Sequence, residues 1–215
     1  MPTPWSSHTN GSHSRSAYRL FLRESLRKIR VTASVLPSSR FLASAMLDQV
    51  NFRKVRNVVE LGSGTGVITH ETLRRMSPDS RLFALEINRN FAQHLRTCYR
   101  DPRLTVLNAD ASDLLNQLAE HDAGKVDVII SSLGLTGMSS EHRTRILRQA
   151  EVCLAPAGIM IQFQYLISRT PVPDLPNRTM RRFEEGKFLK NYFRSVSAKP
   201  VFLNLPPALV FTCRK

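Results

Sequence analysis

Apolar and polar positions come in blocks along the middle of the chain, and the period changes from block to block. Five short runs have the length and composition of strands: "VRNVVEL" (55–61), "RLFALEI" (81–87), "LTVLNAD" (104–110), "VDVIISS" (126–132) and "IMIQFQYL" (159–166). Segments of helical character separate them: "ITHETLRRM" (68–76), "NRNFAQHLRTCY" (88–99), "ASDLLNQLAEH" (111–121) and "SEHRTRILRQAEVCL" (140–154). Stop signals follow these helices at Ser77-Pro78, Asp101-Pro102, Gly124 and Pro156-Ala157-Gly158. Such alternation predicts an α/β fold, a doubly wound parallel sheet with helices packed on it. Residues 167–190 are proline-rich and then basic, and predict a loop or short helix. Two last β-like runs, 193–205 and 208–214, flank Pro206-Pro207, which suits a turn between neighbouring antiparallel strands.

The pattern ahead of the first strand is different. Residues 1–15 are polar and serine-rich and predict a loose tail. The stretch "SAYRLFLRESLRKIR" (16–30) forms an amphipathic helix on a wheel of about 100° per residue. Tyr18, Phe21, Leu22, Ser25, Leu26 and Ile29 cover one arc, while Arg19, Arg23, Arg27 and Arg30 gather opposite. A helix lying in a membrane interface needs both faces; a lid packed over a site, with its arginines in water, needs them too. "SRFLASAML" predicts a second helix, which Ser38 or Ser39 would cap. The expected organisation is a tail (1–15), an N-terminal helical docking or lid segment (16–50) and one main domain (51–215).

Composition narrows the setting. At 215 residues and 42% hydrophobic, the chain can bury one ordinary core. No apolar run reaches the roughly 20 residues needed to cross a bilayer. The N-terminus lacks the apolar stretch of a secretory leader, so a cytoplasmic protein is expected. Cys98, Cys153 and Cys213 are widely spaced and form no CxxC pair; three reduced thiols are expected. His70, His94, His121 and His142 fall on helices without metal spacing, and no metal is expected.

The net charge of +14 is unevenly placed. Residues 57–170 carry twelve basic and twelve acidic side chains; residues 1–56 carry ten against two, and 171–215 nine against three. An anionic partner would therefore meet the flanks and not the central fold. Arg181 and Arg182 belong to a second basic cluster near Phe183 and Phe188.

The sharpest motif is Glu60-Leu61-Gly62-Ser63-Gly64-Thr65-Gly66, at the end of the first strand. Glycines let a backbone turn tightly against a ligand, and the helix that follows presents free N–H groups. Glu86, twenty residues after Gly66, ends the next strand, where a carboxylate can accept hydrogen bonds from ribose hydroxyls. A dinucleotide fingerprint would place its third glycine one residue later, where Val67 stands.

The ExGxGxG form resembles motif I of the class I S-adenosylmethionine-dependent methyltransferases. That resemblance implies a Rossmann-like, seven-stranded sheet with its last strand antiparallel. It also implies that the loop wraps the methionine portion of S-adenosylmethionine, that Glu86 holds the ribose and that Asp110, in "NADAS", meets the adenine amino group. Glu60 would orient the loop or reach the methionine amine through water. Ser63, Thr65, Ile87, Ala111 and Ser131 complete the expected cofactor set, and the product would be S-adenosylhomocysteine. At Glu86 and Asp110, helix capping is the plain alternative.

Methyl transfer needs no Ser/His/Asp constellation, and the chain offers none. The acceptor is expected near the end of strand four, at Ser131-Ser132-Leu133-Gly134-Leu135-Thr136. This stretch has no aromatic and no amide side chain, unlike the Asn-Pro-Pro-Tyr-like motif of enzymes acting on adenine amines. That counts against an RNA adenine-N6 methyltransferase related to the rRNA dimethyladenosine transferases, so nucleic acid is not an expected partner. "FLRESLRKIRVTASVLPSSRFLASAML" (21–47), "VVELGSGTGVIT" (58–69), "ALEINRNFAQHLR" (84–96) and "FLNLPPALVFTCRK" (202–215) together resemble bacterial phospholipid N-methyltransferases. The resemblance implies a phospholipid substrate, phosphatidylethanolamine converted toward phosphatidylcholine, at the inner face of the cell membrane. Tyr165 and Tyr18 are the side chains expected to contact the amine. Arg19, Arg23, Arg27, Ser38, Ser39, Arg181 and Arg182 are those expected to meet lipid phosphate or the anionic membrane surface.

Overall fold

A computed structural model describes residues 40–166, 172–174, 179–181 and 184–215. The apolar runs form strands β1 (Asn57–Leu61), β2 (Arg81–Leu85), β3 (Leu104–Leu107), β4 (Val126–Ser131) and β5 (Leu154–Tyr165). Short strands β6 (Val172–Asp174) and β7 (Thr179–Arg181) pair with each other, and β8 (Ser195–Val201) and β9 (Ala208–Arg214) close the chain. Among the described residues the α-helices are α1 (Arg40–Leu47), α2 (Val67–Arg75), α3 (Arg89–Cys98), α4 (Leu114–Glu120), α5 (Ser140–Cys153) and α6 (Glu185–Leu189).

Seven strands form one sheet in the order β3-β2-β1-β4-β5-β9-β8. β1 to β5 run parallel, and β9 is antiparallel to both of its neighbours. β1 is buried along almost its whole length because helices cover both faces, so its residues do not alternate between apolar and polar, and Glu60 is its one buried charge. Strand order reverses between β1 and β4, the switch point outside which open α/β sheets bind ligands.

Local signals set the helix ends. The Asn88 side chain accepts from the N–H groups of Asn90 and Phe91 at the start of α3, and Ser139 Oγ accepts from the N–H of His142 in α5. α4 is shorter than its periodicity suggests, because Ala111–Asp113 form a separate 3-10 turn capped by Asp110. The turn expected at Pro156-Ala157-Gly158 is instead part of β5. The register jumps from Val126↔Leu154 to Val128↔Ile159, so the extra residues bulge out of the ladder and the strand continues.

Two apolar layers sandwich the sheet. Val59, Leu61, Phe83, Leu85, Met160 and Phe211 meet α4, α5 and α6 on one face. On the other, Val58, Val128, Ile130, Ile161 and Phe163 join α1 and α2. α1 lies within the segment expected as an N-terminal extension, yet Leu42, Ala43, Met46 and Leu47 are fully buried. Burying a leucine or methionine side chain stabilises by about 1.5–3 kcal/mol, so α1 is a packed part of this body. Cys153 and Cys213 are buried, Cys98 is exposed, and all three are free.

Candidate active site

The glycine loop runs from the end of β1 into α2, with Gly62, Gly64 and Gly66 all at positive φ. Gly66 sits against the ring of Tyr99, and a Cβ there would lie 2.8 Å from Tyr99 Cε2 and 2.6 Å from Leu95 Cδ2. The Tyr99 hydroxyl donates to Gly66 O at 2.9 Å, pinning the bend from the side of α3. Burial is the main reason its phenol is pushed up to about 12. Gly64 differs: nothing lies within 4 Å of the place a Cβ would take, so its bend borders open volume.

Glu86 ties the loop to β2. Its Oε2 accepts from the Gly64 N–H and its Oε1 from the Asn88 N–H, each at 2.8 Å. Asn108 holds the adjoining backbone by donating to Glu86 O at 2.8 Å and Ile87 O at 3.1 Å. Ile87 is 68% exposed, an apolar plate beside the buried acid. Across from it, Asp110 Oδ1 accepts from the Ser112 N–H at 2.7 Å and lies 3.4 Å from His142 Nε2. Asp110 therefore makes the capping contact, and its carboxylate is still about one-third exposed. Ala111 is buried behind it.

Glu60 is fully buried beneath the loop. Its Oε2 accepts from Thr69 Oγ1 at 2.7 Å, whereas Oε1 has no hydrogen-bond partner among the described residues, and neither has the buried Ser63 Oγ. Burial raises the Glu60 carboxyl to about 7; the Thr69 bond opposes that rise, the Glu86 charge adds to it, and the nearby Ser63 hydroxyl lowers it again. Buried polar atoms without partners are costly, and these two lie beneath the glycine loop.

The strand-four side forms the opposite wall. Ser131 is buried, and its Oγ accepts from the Leu133 N–H at 3.4 Å. A polar cluster absent from the sequence reading supports this loop. Gln162 Nε2 donates to Leu133 O at 2.9 Å, and Gln164 Nε2 to Thr136 Oγ1 at 3.2 Å. Burial pushes the carboxyl of Glu185 in α6 up to about 8, against the opposing hydrogen bond from Gln162. Arg143 stacks over Phe188 with its guanidinium 5.0 Å from the ring centroid. The available signal was two glutamines alternating with apolar residues inside the buried strand "IMIQFQYL". Tyr99 gave no such signal.

Tyr165 ends β5, buried against Phe163 with ring centroids 5.1 Å apart and bonded to the Asn204 side chain. Tyr18, Arg19, Arg23, Arg27, Ser38, Ser39 and Arg182 lie outside the described residues. Of Arg181, only its backbone place in β7 is described. Among the described residues no three His, Cys, Asp or Glu side chains are grouped to hold a metal, and no helix is long and apolar enough to cross a membrane.

Comparison with known proteins bears on what this crevice holds. Residues 58–158 match the methyltransferase-domain family. An ornithine lipid N-methyltransferase from Singulisphaera acidiphila is 31% identical over 196 residues, covering 91% of this chain and 94% of that protein. The fold matches a precorrin-6y C5,15-methyltransferase from Geobacter metallireducens (TM-score 0.60, 17% identity, 87% of this chain and 95% of that one). It also matches a 1,6-didemethyltoxoflavin-N1-methyltransferase from Burkholderia thailandensis with bound S-adenosylhomocysteine (TM-score 0.60, 16% identity, 100% and 93%). S-adenosylmethionine is the cofactor. The open bend at Gly64, the buried Glu60 carboxyl and the exposed Ile87 fit a methionine chain, its ammonium group and a nucleoside.

Proposed function

We propose, for a chain that belongs to the class I S-adenosylmethionine-dependent N-methyltransferases, that its acceptor is the amine of a phospholipid: phosphatidylethanolamine and its methylated intermediates, towards phosphatidylcholine. The observation that carries this reading is the similarity, along nine-tenths of the chain, to an enzyme named for methylating the nitrogen of a lipid. The basic flanks support it, since a phospholipid brings a phosphate with its amine.

The cofactor supplies a methyl carbon on a sulfonium sulfur; the protein's task is position and exclusion of water. In this reading Gly62, Ser63, Gly64, Thr65 and Gly66 wrap the methionine portion. Glu86 keeps its two backbone contacts and offers remaining lone pairs to the ribose hydroxyls. Asp110 accepts from the adenine amino group, with Ile87 and Ala111 lining the ring and Ser131 closing the strand-four side. Glu60 provides a buried negative charge for the methionine amine.

The acceptor nitrogen reacts only as the free amine, because an ammonium has no lone pair. A second cation and a desolvated wall both favour loss of that proton, which water or the lipid phosphate takes. We assign Tyr165 and Tyr18 to the amine, and Ser38, Ser39, Arg181 and Arg182 to the lipid phosphate. The amphipathic segment bearing Arg19, Arg23 and Arg27 would rest on the anionic inner face of the cell membrane.

The test offers S-adenosylmethionine labelled in its methyl group together with phosphatidylethanolamine vesicles, ornithine-lipid vesicles and total RNA. Label in extracted phosphatidylethanolamine is expected. Label only in ornithine lipid would move the head group, and label only in RNA would overturn the lipid reading.

A further inference from the structure

The loop joining β8 to β9 exposes three large apolar side chains within four residues: Phe202 at 72%, Leu203 at 76% and Leu205 at 83%. Single exposed leucines are ordinary; a cluster on one tight loop marks a contact surface. The register places this loop. Ala208, which opens β9, pairs with both Val201 and Tyr165, the last residues of β8 and β5. The loop therefore overhangs the sheet edge where β5 ends, and β1 and β4 run parallel to β5 and end on that same side. Glycine loop, strand-four loop and apolar loop share one rim.

Its exposure is imposed by the local structure. Asn204 turns inward, 2% exposed, donates from Nδ2 to Pro206 O at 2.7 Å and bonds to the Tyr165 side chain. Pro206 and Pro207 restrict the backbone that follows. With the polar residue held inside, its three apolar neighbours are held outside. The body behind them is cationic: Lys199 is exposed two residues before the end of β8, and the whole chain carries +14. An apolar tip on a cationic body matches an anionic lipid surface, acyl chains taking the tip and head groups meeting the charges.

We propose that the 202–205 loop is a membrane-insertion tip, which seats the rim of the active site on a bilayer containing anionic lipid. The proposal rests on the lipid-acceptor reading and adds a second, folded anchor to the amphipathic segment. Insertion holds the crevice mouth at head-group height, so that an amine reaches it without leaving the bilayer.

The test compares the full chain with the triple variant Phe202→Ser, Leu203→Ser, Leu205→Ser in sedimentation with phosphatidylglycerol–phosphatidylcholine vesicles. Partition is expected to weaken about tenfold or more, with the melting temperature unchanged because the replaced side chains are exposed. Undiminished partition would overturn the proposal. A second variant, Leu203→Trp in a Trp5→Phe background, leaves one indole at the tip. Its emission should shift to the blue and be quenched by acyl-brominated lipid; unshifted, unquenched emission overturns insertion. A lipid-free dimer that the triple variant dissolves, with vesicle binding intact, would make the loop a protein interface and also refute it. Methyl label from the wild-type chain into detergent-dispersed lipid is read separately. Its presence beside unchanged vesicle binding removes the insertion tip alone, and its absence from every lipid removes the acceptor reading.

Discussion

Glu60 should make cofactor binding depend on pH, and the structure sets direction and size. The carboxyl is fully buried, its Oε1 lacks a donor, and in the free protein it titrates at about 7. The ligand's ammonium group favours the carboxylate, so binding lowers that value and releases a proton. The sign follows: the complex holds fewer protons than the free protein, and affinity rises with pH until the free carboxyl is ionised. Between pH 6 and pH 7 the ionised fraction rises about fivefold, so the association constant should rise about fivefold, or ~1 kcal/mol, and level off above. Glu86, which raises the Glu60 value, and Tyr99, which feels its charge, are the other titratable groups in contact with this balance. Calorimetric titration with S-adenosylhomocysteine in two buffers of different ionisation enthalpy reads affinity and proton release together. Glu60→Gln should bind more weakly and lose most of the slope. A flat wild-type profile, or an undiminished slope in Glu60→Gln, would refute the assignment.

Glu86→Ala removes the carboxylate that accepts from the Gly64 and Asn88 N–H groups. The cost is about 1–3 kcal/mol per donor, so calorimetry should show cofactor affinity reduced at least tenfold and melting should show a less stable chain. Glu185 titrates at about 8 when folded and near 4.5 when exposed. The folded state thus holds its proton longer, and stability should fall as pH rises through the window between those values. Urea unfolding of Glu185→Gln at pH 6 and pH 8 should show a smaller fall than the wild type, over a background to which Glu60 contributes in the same direction. Deleting residues 1–30 should reduce sedimentation with anionic vesicles, and equal sedimentation would reject the amphipathic segment as an anchor.

Much of the architecture was legible because it rests on local chemistry. Apolar runs and helical periods located the central strands and the helices between them, since burial on two faces or on one stripe leaves its mark in neighbouring residues. Pro156-Ala157-Gly158 has turn composition, yet β5 continues through it as a bulge between two pairings with β4, which local composition does not encode. The order in which strands assemble leaves no such mark. Hence the bend from Glu60 to Gly66 and the acid at Glu86 could be named in advance, whereas the bond from Glu86 to the Gly64 N–H could not.

The chain's own sequence determined a glycine bend between strand and helix, an acid ending the next strand and a neutral centre with basic ends, all properties of adjacent or evenly spaced residues. Tertiary structure alone decided that Tyr99 pins Gly66, that Gln162 and Glu185 back the strand-four loop, and that Asn204 turns inward while Phe202, Leu203 and Leu205 face out. Each of these depends on which strands and helices become neighbours or on which way one loop folds, and that is settled by the packing of the whole sheet.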